Sequence, residues 1–137
     1  MNILCYHAVQ PGWTAPMSIE PDLFERHVDW LVRHRRVVPL HEVLATCARS
    51  GRLPRRATAL TFDDGFASVH EHALPVLARH RVPSTVFLVA RTFVDDAPVD
   101  WVDRPPPAPL RTLDREQVRE LQASGVRFES HSWRPRG

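Results

Sequence analysis

Short apolar segments alternate with segments of helical periodicity along this chain of 137 residues. Residues 57–62 and 84–90 are the most apolar of them, and both contain several β-branched or aromatic side chains. Such runs are typical of strands that are buried on both faces of a parallel sheet. Strands and helices in short alternation predict an α/β fold whose parallel strands are joined by right-handed crossovers.

Three further strands are predicted at 3–6, 37–40 and 126–130. The first is an apolar run that ends before a turn at 10–12, and we expect this strand to be buried. The last ends just before His131, so this histidine is expected to follow a strand.

Four helices are predicted between these strands. The first starts near Pro21, a residue that suits the first turn of a helix, and the second ends at Gly51, a common C-terminal cap. The side chains expected to face the core recur at helical spacing. They are Phe24, Val28, Leu31, Val43, Leu44, Cys47, Val69, Ala73, Val76, Leu77, Val118 and Leu121.

Two pairs of residues have the spacing of a capping box, in which side chains satisfy free N–H groups at a helix start. Ser68 with Glu71 predicts the start of the third helix, and Asp114 with Gln117 predicts the start of the fourth. Pro75 predicts an irregularity within the third helix, because proline cannot donate a backbone hydrogen bond.

Residues 95–110 contain five of the 13 prolines of the chain. This density excludes a helix or an interior strand and predicts a surface loop. Trp101 lies in the loop, and two roles are equally compatible with its position. The indole either stacks on a sugar ring of a substrate or anchors the loop to the body of the protein.

Three groups of reactive side chains follow predicted strands. They are Tyr6 with His7, Asp63 with Asp64, and His131. Because the carboxyl ends of parallel strands meet at one edge of a sheet, and function concentrates there, we expect these side chains to lie close together. His7 is interpreted as a substrate contact or as a residue that supports the reactive side chains from behind, with a structural hydrogen bond to a neighbouring strand as the alternative.

Adjacent carboxylates at Asp63 and Asp64 repel each other when both are ionised. A divalent cation bound to one of them offsets this repulsion and leaves the other free to act as a base. Side chains at consecutive positions point in different directions, which suits two separate roles. The alternative is an acidic turn without a ligand, since Asp-Asp-Gly is common in loops.

Composition argues against several classes of function. Formal net charge is +2, and the arginines are scattered, so a nucleic-acid partner is not expected. Cys5 and Cys47 form no metal-binding or disulfide pattern. The chain as written shows no signal peptide and no apolar stretch long enough to span a membrane, which is typical of a cytoplasmic protein, but these features do not determine its compartment.

The chain resembles the polysaccharide deacetylases, the NodB-homology group that forms carbohydrate esterase family four. The segment TFDDG at 61–65 resembles the first motif of that family, and LCYHAV at 4–9 resembles the opening of one of its branches. PSTVFL at 83–88 is similar to the strand that follows the first motif, and 125–132 is similar to the approach to the second motif.

This resemblance implies a distorted (β/α) barrel with one divalent metal ion, often zinc. It implies that Asp63 is the general base and that Asp64 and His131 are metal ligands. The implied reaction is the hydrolysis of N-acetyl groups on an amino-sugar polymer or glycoside, by a water that the metal and Asp63 activate.

The chain departs from the family pattern at two points. Pro135 stands where the second motif has its second histidine, the third metal ligand, and proline cannot coordinate a metal. The sequence also ends at Gly137, before the later motifs of the family. We therefore expect 1–137 to be a single incomplete deacetylase domain, the N-terminal part of the fold.

Two other functions are compatible with these residues. The first is a catalytically inactive remnant or carbohydrate-binding module, which Pro135 favours. The second is phosphate transfer around magnesium, as in phosphatases of the haloacid dehalogenase type. Those phosphatases use Asp-x-Asp, in which both carboxylates share one side of an extended chain, whereas Asp63 and Asp64 are adjacent, which argues against this second function.

Overall fold

A parallel sheet of five strands forms the centre of the molecule, which a computed structural model describes for residues 1–135. Four strands lie in the order β1 (Asn2–Tyr6), β5 (Ala57–Phe62), β6 (Ser84–Val89) and β7 (Arg127–Ser132). A short strand, β4 (Arg36–Val37), pairs with the first residues of β5. A separate parallel pair consists of β2 (Ala8–Val9) and β3 (Ser18–Ile19). The predicted α/β class with parallel strands is confirmed.

The helices lie between the strands in sequence. They are α1 (Pro21–His34), α2 (Leu40–Ser50), a π-helix (Val69–Ala73), α3 (Leu74–His80), α4 (Ala90–Asp95) and α5 (Arg115–Ala123). As predicted, α1 has proline in its first turn, and α2 ends at Gly51, which has a left-handed φ of 64°. None of the helices described in 1–135 combines the length and the apolar character needed to cross a membrane.

The main core lies between one face of the sheet and helices that include α1, α3 and α5. Leu60, Phe62 and Val86 project from that face and pack with Phe24 of α1 and Leu121 of α5. Because side chains alternate along a strand, residues between these core positions point to the opposite face. The second face is partly apolar as well, because Ala57 and Ala59 of β5 pack there with Val43 of α2.

Strand β1 is not buried as predicted. It lies at one end of the sheet and pairs with β5 alone among the described residues, and the exposed fraction of Ile3 is 53%. An apolar run such as 3–6 does not distinguish a fully buried strand from an edge strand with one open side, because both can have this composition. The other end of the sheet is β7, whose residues are mostly exposed.

The predicted capping box at Ser68 and Glu71 is wrong. Ser68 already has helical backbone angles, and its hydroxyl accepts a hydrogen bond from the backbone N–H of Val9 at 3.2 Å. The irregularity predicted from Pro75 is present, since a π-helix precedes α3 and Pro75 lies in the first turn of α3. Proline is tolerated there because N–H groups of a first turn have no partner within the helix.

Several boundaries also differ from the prediction. The strand expected at 37–40 ends earlier, because Leu40 already begins α2. Ala90 begins α4, a helix that the sequence did not predict, instead of ending β6. Leu44 is 58% exposed and does not belong to the core. His131 lies within β7, not after it.

The capping box at Asp114 and Gln117 is confirmed, with hydrogen bonds in both directions.

Residues 96–111 form neither helix nor strand, which confirms the proline-rich loop apart from its first residue, Asp95. Trp13 anchors this loop to the body, because its indole N–H donates to the carbonyl oxygen of Arg104 at 2.8 Å.

Candidate active site

The pairing of β1 with β5 determines which side chains meet at the edge of the sheet. Tyr6 lies opposite Phe62, and the backbone N–H of Asp63 donates to the carbonyl oxygen of Tyr6 at 2.8 Å. The residues that follow, His7 and Asp63, therefore lie side by side where both strands end. This position agrees with the edge at which we predicted the site.

Asp63 and Asp64 differ in environment although they are neighbours in sequence. Asp64 is buried, with 3% of its surface exposed, whereas Asp63 is half-buried. The backbone of Asp64 has a φ of 66°, in the left-handed region that aspartate tolerates better than most residues. This turn sends the Asp64 carboxylate into the protein and leaves Asp63 at the surface of the site.

His131 and Asp64 come together, as predicted. The Nε2 atom of His131 lies 3.6 Å from Oδ1 of Asp64. Leu88 pairs with Ser130 and Val89 pairs with Ser132, so His131 is an extra residue in β7 that forms a β-bulge. A bulge turns the side chain of the extra residue away from the regular alternation, and such bulges are common beside functional sites.

Trp101 links the proline-rich loop to the same carboxylate. Its indole N–H donates to Oδ2 of Asp64 at 3.2 Å. The two oxygens of Asp64 thus have different neighbours, the imidazole of His131 and the indole of Trp101. This contact fits the anchoring role considered for Trp101, and the stacking role on a sugar stays a prediction.

Gly65 is required where the chain passes under β6. Its φ is +63°, and a Cβ atom at this position would lie 2.6 Å from Cδ2 of Leu88. Any larger residue would displace the Leu88 side chain and strain the backbone. The glycine therefore continues the left-handed turn that begins at Asp64.

The Asp64–His131 pair has a spacing compatible with a shared metal ion. Two ligands of one tetrahedral zinc, each at about 2.1 Å, lie about 3.4 Å apart, close to the observed 3.6 Å. Pro135, which the family resemblance aligns with a third ligand, has no side-chain donor atom. In residues 1–135, the pair has no third histidine, cysteine or acidic side chain with which it forms a compact group. The pair fits two positions of a zinc site.

A second cluster consists of Cys5, His7 and Asp63, whose ligand atoms all lie within 4.8 Å of one another. Sequence reasoning missed Cys5, although its spacing of two from His7 on a strand puts both side chains on one face. Partial burial and the negative charge of Asp63 raise the pKa of the Cys5 thiol to about 11.

Two arginines hold the loop residue next to Trp101. The guanidinium of Arg91 bonds to Oδ1 of Asp100, and Arg134 donates to Oδ2 at 2.9 Å. The hydrogen bond from Arg91 lowers the pKa of Asp100. Asp100 is therefore held by one arginine of α4 and one arginine after β7. Since Asp100 directly precedes Trp101, these contacts fix the backbone next to Trp101. No sequence motif marked this contact.

Known proteins with similar sequences are deacetylases. A poly-β-1,6-N-acetyl-D-glucosamine N-deacetylase of Staphylococcus aureus is 25% identical over 117 residues, which are 84% of this chain and 37% of that protein. The chain spans about two fifths of the length of the curated relatives it matches.

Solved structures of deacetylases share the fold. IcaB from Ammonifex degensii is 28% identical with a TM-score of 0.76, over 96% of this chain and 52% of that one. A de-N-acetylase from Aggregatibacter actinomycetemcomitans is 26% identical with a TM-score of 0.71, over 95% of this chain and 53% of that one.

These neighbours confirm the predicted fold type, that of the (β/α) barrel deacetylases. The sequence model described as polysaccharide deacetylase matches residues 50–135, well over half of the chain and including both aspartates and His131. The chain belongs to the polysaccharide deacetylase family.

Proposed function

We propose that this chain carries the base and the metal-binding residues of a hydrolase that removes N-acetyl groups from amino-sugar polymers. The observation that supports it most directly is the division between Asp63 and Asp64. One carboxylate is half-buried at the edge of the sheet, and the other is buried between His131 and Trp101. Two adjacent carboxylates in different environments suit two different roles.

Asp64 and His131 would hold a divalent ion, for which zinc is the expected identity from this donor set. When bound, such an ion polarises a carbonyl group and lowers the pKa of water. Trp101 donates to the Asp64 oxygen that does not face His131, which keeps the carboxylate oriented. Hydrogen-bonded support of this kind orients metal ligands and raises their affinity.

Asp63 would accept the proton of the water that attacks the acetyl carbon. The reaction consumes one water, breaks the amide C–N bond and releases acetate and a free amine. The carboxylate of Asp63 is close to His7, whose imidazole can hold a substrate group or position the base. A base placed within reach of the reacting water contributes about 10²- to 10⁴-fold to a rate.

The proposed substrate is an acetylated amino-sugar polymer or glycoside, as in the staphylococcal relative. A groove of about 420 Å³ beside Trp101 is lined by the loop and by Ala15, Pro16 and Met17. Apolar and aromatic walls with a few polar groups are common in sites that bind the faces of sugars and other small ligands. Trp101 would thus contact the substrate with its ring while its N–H holds Asp64.

A second candidate function is carbohydrate binding without catalysis. Pro135 favours it, because a zinc site with two protein ligands binds its metal weakly. In that case the groove beside Trp101 would retain the polymer, and the two aspartates would have no chemical role.

Acetate release from N-acetylglucosamine oligomers, measured with the full chain and added zinc, tests the proposal. We expect release by the wild type and loss in Asp64→Asn and His131→Asn. Asp96→Asn is the matched control, an exposed loop aspartate outside the site, and it should keep the wild-type rate. Retention of the oligomer without any acetate release would support the binding module and contradict the hydrolase.

A further inference from the structure

We propose that Cys5, His7 and Asp63 form a second metal site, which takes a thiophilic divalent cation such as Zn²⁺, Co²⁺ or Cd²⁺. This site uses neither Asp64 nor His131, but it shares Asp63 with the proposed hydrolase, so a cation bound there would occupy the carboxylate proposed as the base. The inference stands on the geometry of the three donors and does not depend on hydrolytic activity.

The backbone brings the three donors together by two simple rules. Cys5 and His7 are two residues apart at the end of β1, so their side chains point to the same face. Cys5 pairs with Thr61 across the parallel ladder, so Asp63, two residues beyond Thr61, lies on that face beside His7. The sulfur, an imidazole nitrogen and a carboxylate oxygen all lie within 4.8 Å of one another.

Small side-chain rotations bring these atoms to the spacing of a bound ion. Sulfur and nitrogen ligands of one tetrahedral zinc lie about 3.4–3.6 Å apart. From a separation of up to 4.8 Å, the donors therefore need to close by about 1.2–1.4 Å at most. The side chains are at the open edge of the sheet, with Cys5 exposed and His7 and Asp63 half-buried, so rotamer changes and ion entry meet little obstruction.

Charge and donor type select the cation. A thiolate, a carboxylate and a neutral imidazole carry two negative charges, which a divalent ion neutralises. Sulfur favours zinc, cobalt and cadmium over magnesium and calcium, which prefer oxygen ligands. Binding releases the thiol proton of Cys5 to solvent and leaves a coordination position for water, as in zinc sites with three protein ligands.

The thiol is not engaged in a disulfide. Both cysteines are free, and the sulfur of Cys5 donates a long hydrogen bond to the carbonyl oxygen of Tyr6 at 3.6 Å, with the side chains of Asp63 and Thr61 also beside it. Cys47 lies in α2, outside the cluster. It is therefore a matched control for any effect of removing a thiol.

Cobalt titration of the full chain tests the site, because a thiolate bound to Co²⁺ gives an intense charge-transfer absorption in the near ultraviolet. We expect this band in the wild type and in Cys47→Ser, and its loss in Cys5→Ser. His7→Asn and Asp63→Asn should weaken cobalt binding at least tenfold. Asp64→Asn and His131→Asn should keep the band, since these residues belong to the other pair.

Absence of the band in the wild type, or its survival in Cys5→Ser, would overturn the proposal. Loss of the band in Asp64→Asn with unchanged circular dichroism would contradict a separate site.

A second measurement needs no variant. Zinc should slow alkylation of Cys5 by iodoacetamide at least tenfold, mapped by mass spectrometry, while Cys47 reacts at an unchanged rate; equal rates at Cys5 with and without zinc would contradict the site. Acetate release plays no part in either readout, so failure here is distinguishable from failure of the proposed hydrolase.

Discussion

Trp101 donates its indole N–H to Oδ2 of Asp64 at 3.2 Å, which connects the proline-rich loop to a buried carboxylate 37 residues earlier in the chain. The loop is therefore a structural part of the candidate site. Asp100, the neighbour of Trp101, is held by arginines from α4 and from the segment after β7. We therefore expect a change that loosens the loop to loosen the position of the Asp64 side chain as well, and the reverse.

Replacement of Trp101 tests this connection. Trp101→Phe keeps an aromatic ring but leaves a buried carboxylate oxygen without its donor, which destabilises a protein by about 1–3 kcal/mol. We expect a lower free energy of unfolding in urea and faster proteolysis within 95–110. Trp133→Phe is the control, because Trp133 is 59% exposed. Equal stability of the two variants would show that the hydrogen bond contributes nothing.

The turn at Gly65 gives a second prediction. Gly65→Ala should destabilise the protein by about 1–3 kcal/mol, from left-handed backbone strain and from displacement of Leu88. Gly51→Ala has nearly the same φ, 64°, and its added Cβ would touch nothing within 4 Å. The difference between the two free energies of unfolding in urea isolates the contact with Leu88. A difference near zero would exclude that contact as a constraint on the turn.

The ion pairs of Asp100 predict a dependence on pH. Its folded pKa is lowered, chiefly by the hydrogen bond from Arg91, so its contribution is present above the usual pKa of 3.8. The contribution is lost as the pH falls through the lower folded value. We expect Asp100→Asn to be less stable than wild type at pH 6, and the difference to shrink below pH 4. A difference that grows on acidification would have the wrong sign for this ion pair.

Cys5 predicts a reactivity profile in the protein freed of metal by a chelator. Partial burial, and then the charge of Asp63, raise the pKa of the Cys5 thiol from 9.0 to about 11. Because the thiolate is the nucleophile, alkylation of Cys5 in the Cys47→Ser variant should be slow at pH 8 and rise towards pH 11. A midpoint at or below pH 9 would contradict the raised pKa.

Much of the fold was predictable because local patterns agree with the tertiary structure. The strand Ala57–Phe62 and the buried residues of α1 follow from apolar periodicity, and the start of α5 follows from its capping box. Asp63, Asp64 and His131 were placed at one edge by the rule for parallel strands. These features depend on residues close together in sequence, or on a general property of parallel sheets.

The features that were missed depend on contacts between distant segments. Ser68 makes its hydrogen bond to Val9, 59 residues earlier, instead of capping a helix. The bulge at His131 depends on how β7 pairs with β6, and no residue type in this segment predicts it. Cys5 and His7 share a face because of their spacing, but their position beside Asp63 depends on the register of β1 on β5, which spacing within one strand does not determine.

The most direct test of the division between Asp63 and Asp64 is zinc-dependent acetate release from N-acetylglucosamine oligomers. Asp63→Asn should lower the maximal rate about 10²- to 10⁴-fold and leave the zinc concentration for half-maximal activity within about threefold. Asp64→Asn should raise that concentration by more than about tenfold, because a metal ligand is lost. Equal effects of both substitutions on the zinc requirement, or full activity of Asp63→Asn, would contradict a separate base and metal ligand.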